Sequence, residues 1–131
     1  MQAEEKPSLY ERLGGAWKIA IFIDDFIDRI LVDPRLEANP RVKEASQRIS
    51  KAGFKYLVTE MTCWATGGPQ TYTGRSMGDS HKHLMITEGE WRSFMDDFQQ
   101  TLDKCNVRKP EQQELIALLE SSKAAIVVSQ G

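Results

Sequence analysis

Cysteine is scarce in this chain: its 131 residues hold two, Cys63 and Cys105, with no Cys-x-x-Cys, no Cys-x-x-Cys-His and no zinc-site spacing. Two distant thiols make no disulfide framework and suit a reducing compartment, so a cytoplasmic location is expected. No apolar run nears the ~18 residues a membrane span needs, and Met1-Gln2-Ala3-Glu4-Glu5-Lys6 lacks the pattern of a signal peptide. An excess of one charge is missing as well. Seventeen basic and nineteen acidic residues are interspersed, for a net charge of −2, which leaves no electrostatic footprint for nucleic acid. There is no Walker A loop, no Gly-x-Gly-x-x-Gly and no Gly-x-Ser-x-Gly, so the corresponding phosphate, dinucleotide and hydrolase classes are not indicated. The one β-branched cluster, Ile126-Val127-Val128, is too short and terminal to promise a sheet.

What is present is helical periodicity. Ser8 and Glu11 form a capping box for a short helix from Leu9 to Leu13, stopped by Gly14-Gly15. Trp17 to Val32 follows, with Ile19, Ile23, Phe26, Ile27, Ile30 and Leu31 at helical spacing. Asp33-Pro34 caps a short turn ending near Ala38, and Asn39-Pro40 reads as a break. One long helix is expected from Arg41 to Ala65, its stripe made by Phe54, Leu57, Val58, Met61 and Ala65, with Gly67 as its C-terminal stop. Thr87-Glu88-Gly89-Glu90 is a second capping box, opening a helix whose apolar face is Trp91, Phe94, Met95, Phe98 and Leu102. Phe98 and Leu102 read as plain core. Pro110 suits the first turn of a last helix, with Leu115, Ile116, Leu118, Leu119 and Ile126 inward. The fold class is all-α. The whole of 1–131 forms a single domain with about five main helices, residues 1–7 being expected as a disordered N-terminal extension.

Both histidines lie in one stretch, after Thr66-Gly67-Gly68-Pro69 and Tyr72-Thr73-Gly74-Arg75. If Arg75 to Met85 is helical, Met77, His81, Leu84 and Met85 share a face. His83, about 200° round the helix from His81, falls with Asp79 and Ser80 on the polar side and reads as solvated. Periodicity leaves His81 as either a ligand facing a pocket or a hydrogen-bonded core histidine.

Several motifs resemble one family. They are Ser8-Leu9-Tyr10-Glu11-Arg12-Leu13-Gly14-Gly15; Asp24-Asp25-Phe26 with Arg29-Ile30-Leu31 and Asp33; the Gly67-Gly68-Pro69, Tyr72-Thr73-Gly74-Arg75, Met77 and His81 block; and Ile86-Thr87. Over roughly Ser8 to Val128 the chain resembles the group I truncated (2/2) haemoglobins. The resemblance implies a globin-like two-over-two helical sandwich around one haem, with His81 as the proximal iron ligand. Lacking a Cys-x-x-Cys-His attachment site, the chain is expected to hold that haem non-covalently, as haem b. Cofactor-binding residues are expected to be Phe26, Phe54, Leu57, Val58 and Met61, then Met77, Leu84, Ile86, Trp91 and Phe94, with Lys51, Tyr72 and Arg75 toward the propionates.

The chain also departs from that family. Ile27 stands where a tyrosine is usual, Val58 where a glutamine or other polar residue is usual, and Asn39-Pro40 where an aromatic is expected. The distal pocket is therefore expected to be apolar, walled by Phe26, Ile27, Phe54, Leu57 and Val58, with Tyr56 one step off the face. Bound dioxygen carries partial negative charge, and a distal donor contributes about 1 kcal/mol net, or ~1.5–3 with a charged acceptor. Without one, dioxygen should leave faster and the iron should oxidise more readily, whereas CO and NO should suffer less. The ferrous haem is expected to be five-coordinate.

The expected function is reversible binding of O2, CO and NO. NO dioxygenation would need a separate reductase, because the chain has no flavin or nicotinamide motif. Peroxidase activity should be weak without a distal acid–base residue. The alternatives are a haem-based gas or redox sensor and a cofactor-free all-α interaction module. A monomer without nucleic-acid or membrane partners is expected.

Overall fold

The computed structural model describes residues 7–74, residue 81 and residues 84–129. The expected extension over 1–6, together with Arg75, Met77, Asp79, Ser80 and His83, lies outside the described residues. Pro7 is held, its carbonyl accepting from Arg12 Nε at 3.1 Å.

The described helices are α1 (Leu9–Arg12), α2 (Gly15–Leu31), α3 (Pro34–Glu37), α4 (Pro40–Arg48), α5 (Lys51–Ala65), α6 (Glu88–Lys104) and α7 (Lys109–Ile126). Local chemistry sets their ends. Both capping boxes form, Ser8 with Glu11 and Thr87 with Glu90. Asp33 and Asn39 cap α3 and α4, each followed by proline in the first turn. Gly14 and Gly15 take φ of +99° and +80°, and Gly67 takes +95° just past α5, a backbone that only glycine enters without strain.

Two sequence expectations are corrected here. The long helix expected from Arg41 to Ala65 is two helices, because Ile49 is extended (φ −117°, ψ 142°) and Ser50 starts α5, its side chain accepting from Gly53 N. Ile126-Val127-Val128 was expected to make no sheet, yet β2 (Val127–Ser129) pairs in parallel with β1 (Ile86–Thr87). The partner strand gives those backbone groups the hydrogen bonds that two or three isolated residues lack. A third correction is smaller: Leu118, expected inward on α7, is exposed.

α2 is the central element, packed against α5 on one side and α6 on the other. Its stripe of Ile19, Phe22, Ile23, Phe26 and Ile27 is fully buried and joins Leu9, Cys63, Phe98, Leu102 and Leu115 in the main core. Each such side chain stabilises the fold by roughly 1.5–3 kcal/mol. A second, smaller core holds Leu84, Ile86, Trp91 and Ile126. No helix among the described residues is long and apolar enough to cross a membrane.

Candidate functional site

The two cores meet at Phe94, a half-buried residue that packs against both. Its ring lies 5.4 Å from Trp91 and 5.1 Å edge-on from Phe26, which in turn meets Phe98 at 5.0 Å. Four rings thus run from one core to the other, at spacings that favour edge and tilted contacts. The helical period places Trp91, Phe94 and Phe98 on one face of α6, where the sequence expected an apolar stripe.

Across from this ladder, α5 supplies Phe54 and Val58, both half-buried and packed on the main core with Ile27. Leu57 and Met61, on the same helix, are half-buried and pack against neither buried cluster among the described residues. Large apolar side chains left part-covered next to an aromatic ladder form the wall a flat apolar ligand needs.

His81 is helical and half-buried. Three residues on, Leu84 is buried, and Ile86 and Trp91 follow it into the smaller core. No group of three His, Cys, Asp or Glu side chains among the described residues is placed to hold a metal ion. A single imidazole is too small a donor set for a bare ion, but it suits iron whose remaining ligands come from a macrocycle. The residues present therefore fit a haem better than a free metal. Met77 and Arg75, expected at this site, lie outside the described residues.

The candidate propionate and distal residues divide. Lys51 is engaged with Asp28 at 2.8 Å. Tyr72 is half-buried and stacks on Trp64, ring centres 6.0 Å apart. Tyr56, expected at the edge of the distal pocket, is instead 63% exposed, and its hydroxyl donates to Glu60 Oε2 at 3.1 Å. The phase of α5 is the reason: placing Phe54 and Val58 on the core turns Tyr56 outward. Glu60 also accepts from Thr73 N at 2.8 Å and Thr73 Oγ1 at 2.6 Å, tying the loop that leads toward His81 back onto α5. Those two donors, and Tyr56 behind them, hold its carboxyl below the usual range.

Sequence reasoning missed three participants, Glu60, Asn39 and the Asp33–Arg35–Asp97 cluster. Asp33 and Asp97 are both buried, and both accept from Arg35 Nη2. Arg35 Nη2 lies 2.9 Å from Asp33, 3.0 Å from Asp96 and 3.4 Å from Asp97, fastening α3 to α6 beside the aromatic ladder. The Arg35 guanidinium holds Asp33 down at about 2. Burial, then the neighbouring Asp33 carboxylate, pushes Asp97 up to about 7.

The signs oppose each other. Asp33 stabilises the fold at neutral pH and loses that contribution as pH falls from about 4 toward 2. Asp97 titrates above its unfolded value, so the stability of its protonated form is complete below about pH 4 and is lost as pH rises through 7. Asp97→Asn is neutral at every pH. Its urea midpoint should lie nearest the parent's at about pH 4 and exceed it by a growing margin toward pH 8.5, reaching the equivalent of about 1 kcal/mol or more. A gap that does not change with pH would show that Asp97 is ionised throughout.

With this geometry in place, the likenesses to other proteins are specific. The family described as "Bacterial-like globin" matches residues 8–128, and the chain belongs to that family. It is 34% identical over 83 residues to the group 1 truncated hemoglobin GlbN of Synechocystis sp., a match covering 63% of this chain and 61% of the relative, or about three fifths of its length. In structure it resembles the Fe(III) form of the truncated hemoglobin of Tetrahymena pyriformis, with a TM-score of 0.75, 20% identity and coverage of 92% and 98% of the two chains. It also resembles the group II truncated hemoglobin of Bacillus anthracis, with a TM-score of 0.82, 17% identity and coverage of 98% and 96%. The fold is thus the all-α two-over-two sandwich of the truncated haemoglobins.

Proposed function

We propose that the chain binds one haem b non-covalently through His81 and holds O2, CO or NO on the opposite face, in the manner of a group I protein. When bound, the haem supplies a redox-active iron with an open coordination position. The observation that carries this reading is Phe94, half-buried between two cores, with His81 leading into one and the α5 wall packed on the other. His81 is the axial base. Leu84, Ile86, Trp91 and Phe94 exclude water on its side, and Phe26, Ile27, Phe54, Leu57 and Val58 do so on the other. Met61 extends the apolar wall on α5. Tyr72 and Lys51 would hold the propionates, Lys51 exchanging its bond to Asp28 for that role.

Among the described residues, the side chains assigned to this wall carry no hydrogen-bond donor for a gas and no second base for the iron. With a haem bound, these residues would leave the iron one protein ligand, His81, and would exclude water and position the imidazole without moving protons. Turnover of NO and O2 to nitrate draws its electron from a separate reductase. Stopped-flow mixing of the reduced, air-equilibrated, haem-loaded protein with NO tests that activity. One equivalent of ferric protein and of nitrate per haem is expected, and a spectrum unchanged after mixing removes dioxygenation from the proposal.

A further inference from the structure

Asn39, at a position where the family resemblance implies an aromatic, is 9% exposed and uses every hydrogen-bonding group of its amide. Its Oδ1 accepts from Arg41 N at 3.0 Å and Val42 N at 3.4 Å, capping α4. Its Nδ2 donates to the Leu84 carbonyl at 3.0 Å and to Glu90 Oε1 at 3.1 Å. That Glu90 oxygen also accepts from Thr87 N at 3.0 Å, in the capping box of α6. One amide therefore joins the start of α4, the carbonyl three residues after His81 and the first turn of α6.

The segment it grips is under constraint. Met85 is a non-glycine residue with φ +55°, a backbone region that side chains disfavour. Directly after it, Ile86 is paired with Val127 of β2. Leu84 is thus fixed by Asn39 and Ile86 by β2, on either side of the strained residue. The Asn39 backbone is itself held, its N–H donating to Leu36 O at 3.1 Å and its carbonyl accepting from Lys43 N at 3.0 Å. The amide that touches Leu84 consequently has little freedom to follow a drifting segment.

We propose that Asn39 is a positioning residue for the axial histidine. Its side-chain amide sets where the segment carrying His81 sits relative to α6, and so sets the tilt and retention of the haem. This role rests on the proposed function, since it presumes that His81 binds the iron. Asn39 itself touches neither ligand nor iron.

Asn39→Asp tests this with almost no change of shape. Aspartate caps a helix as well as asparagine does, so α4 keeps its start. The Nδ2 donor is lost, however, and a carboxylate then faces both the Leu84 carbonyl and Glu90. Adding Glu90→Gln restores a donor between positions 39 and 90, with its direction reversed and Thr87 N still provided for. The measurements are the iron–imidazole stretching band of the ferrous protein by resonance Raman, the rate of haem loss to an excess of apomyoglobin, and hydrogen exchange at the Thr87 amide of the apoprotein.

N39D is expected to shift or broaden the iron–imidazole band and to speed haem loss by about tenfold, the cost of one charge-assisted bond. It should also raise exchange at Thr87. The pair N39D/E90Q should recover the Thr87 protection, whereas the band shift and the faster haem loss, which follow from the lost bond to the Leu84 carbonyl, should persist. An unshifted band and unchanged haem loss in N39D, with exchange raised, would overturn the positioning role and leave Asn39 as scaffolding. Full recovery of the band and of haem retention in N39D/E90Q would place the effect in the link to Glu90 and overturn the role of the Leu84 bond. Hemin uptake by the parent is measured first. Its failure would overturn the haem reading and the positioning role together, a result distinct from a parent that binds haem while N39D changes nothing.

Discussion

Replacing His81 with glycine is expected to lower haem affinity by more than about 100-fold, because altering even an outer partner of a ligating histidine costs up to that much. Binding is expected to return when millimolar imidazole is added. The reason is geometric. His81 is half-buried and helical, and it leads directly into the buried Leu84, Ile86 and Trp91. Glycine leaves a space of imidazole shape against those walls, so the free base can enter and ligate while the apolar contacts stay in place. Hemin titration of H81G, followed by tryptophan quenching with and without imidazole, reads both halves of the expectation. Unaltered hemin affinity in H81G would assign the axial bond to another residue. Loss without rescue would mean that the variant fails to fold, and far-ultraviolet circular dichroism separates that case.

The second large effect is expected at Ile27. This side chain is 1% exposed and belongs to the same core as Phe54 and Val58. Ile27→Tyr brings a phenolic donor to an otherwise apolar wall. One hydrogen bond to a partly charged acceptor contributes about 1.5 kcal/mol or more, so O2 dissociation should slow by at least about tenfold. CO dissociation should change far less, since bound CO carries less charge. The same change adds bulk to a filled site, at a cost of roughly 1–3 kcal/mol, so the urea midpoint should fall even as O2 is held longer. Flash photolysis with O2 and CO on parent and I27Y gives both rates. An O2 off-rate that does not move would mean that Ile27 does not wall the distal pocket.

Much of the architecture could be read from local chemistry. Ser8 with Glu11, and Thr87 with Glu90, close their capping boxes within four residues, so the sequence alone places those helix starts. The α2 stripe from Ile19 to Ile27 and the α6 stripe through Trp91, Phe94 and Phe98 follow the helical period and are buried as that period requires. His81 stood out because an apolar stripe and a family resemblance chose it independently.

The features that escaped reading depend on partners far along the chain. The break at Ile49–Ser50 is invisible in a continuous helical pattern, and only the Ser50 cap betrays it. β2 exists because Ile86–Thr87, some forty positions earlier, lies beside it. Asn39-Pro40 announces a helix start, but nothing local says that the amide also reaches Leu84 and Glu90. Asp97 reads as an ordinary solvated carboxylate until Asp33 and Arg35 are packed against it. Tyr56 stands one step off the α5 face in the sequence, and only the packed helix shows that this step leaves it at the surface.

The central claim is that this fold holds a haem on His81. Visible absorption spectra of the purified protein, supplemented with hemin if colourless, test it most directly, taken ferric, dithionite-reduced, and reduced under CO. The account predicts a Soret band in all three, a five-coordinate ferrous spectrum before CO, and a clear Soret shift on its addition. A protein that shows no Soret band after hemin is supplied would contradict the account. A six-coordinate low-spin ferrous spectrum without added ligand would contradict its apolar distal wall.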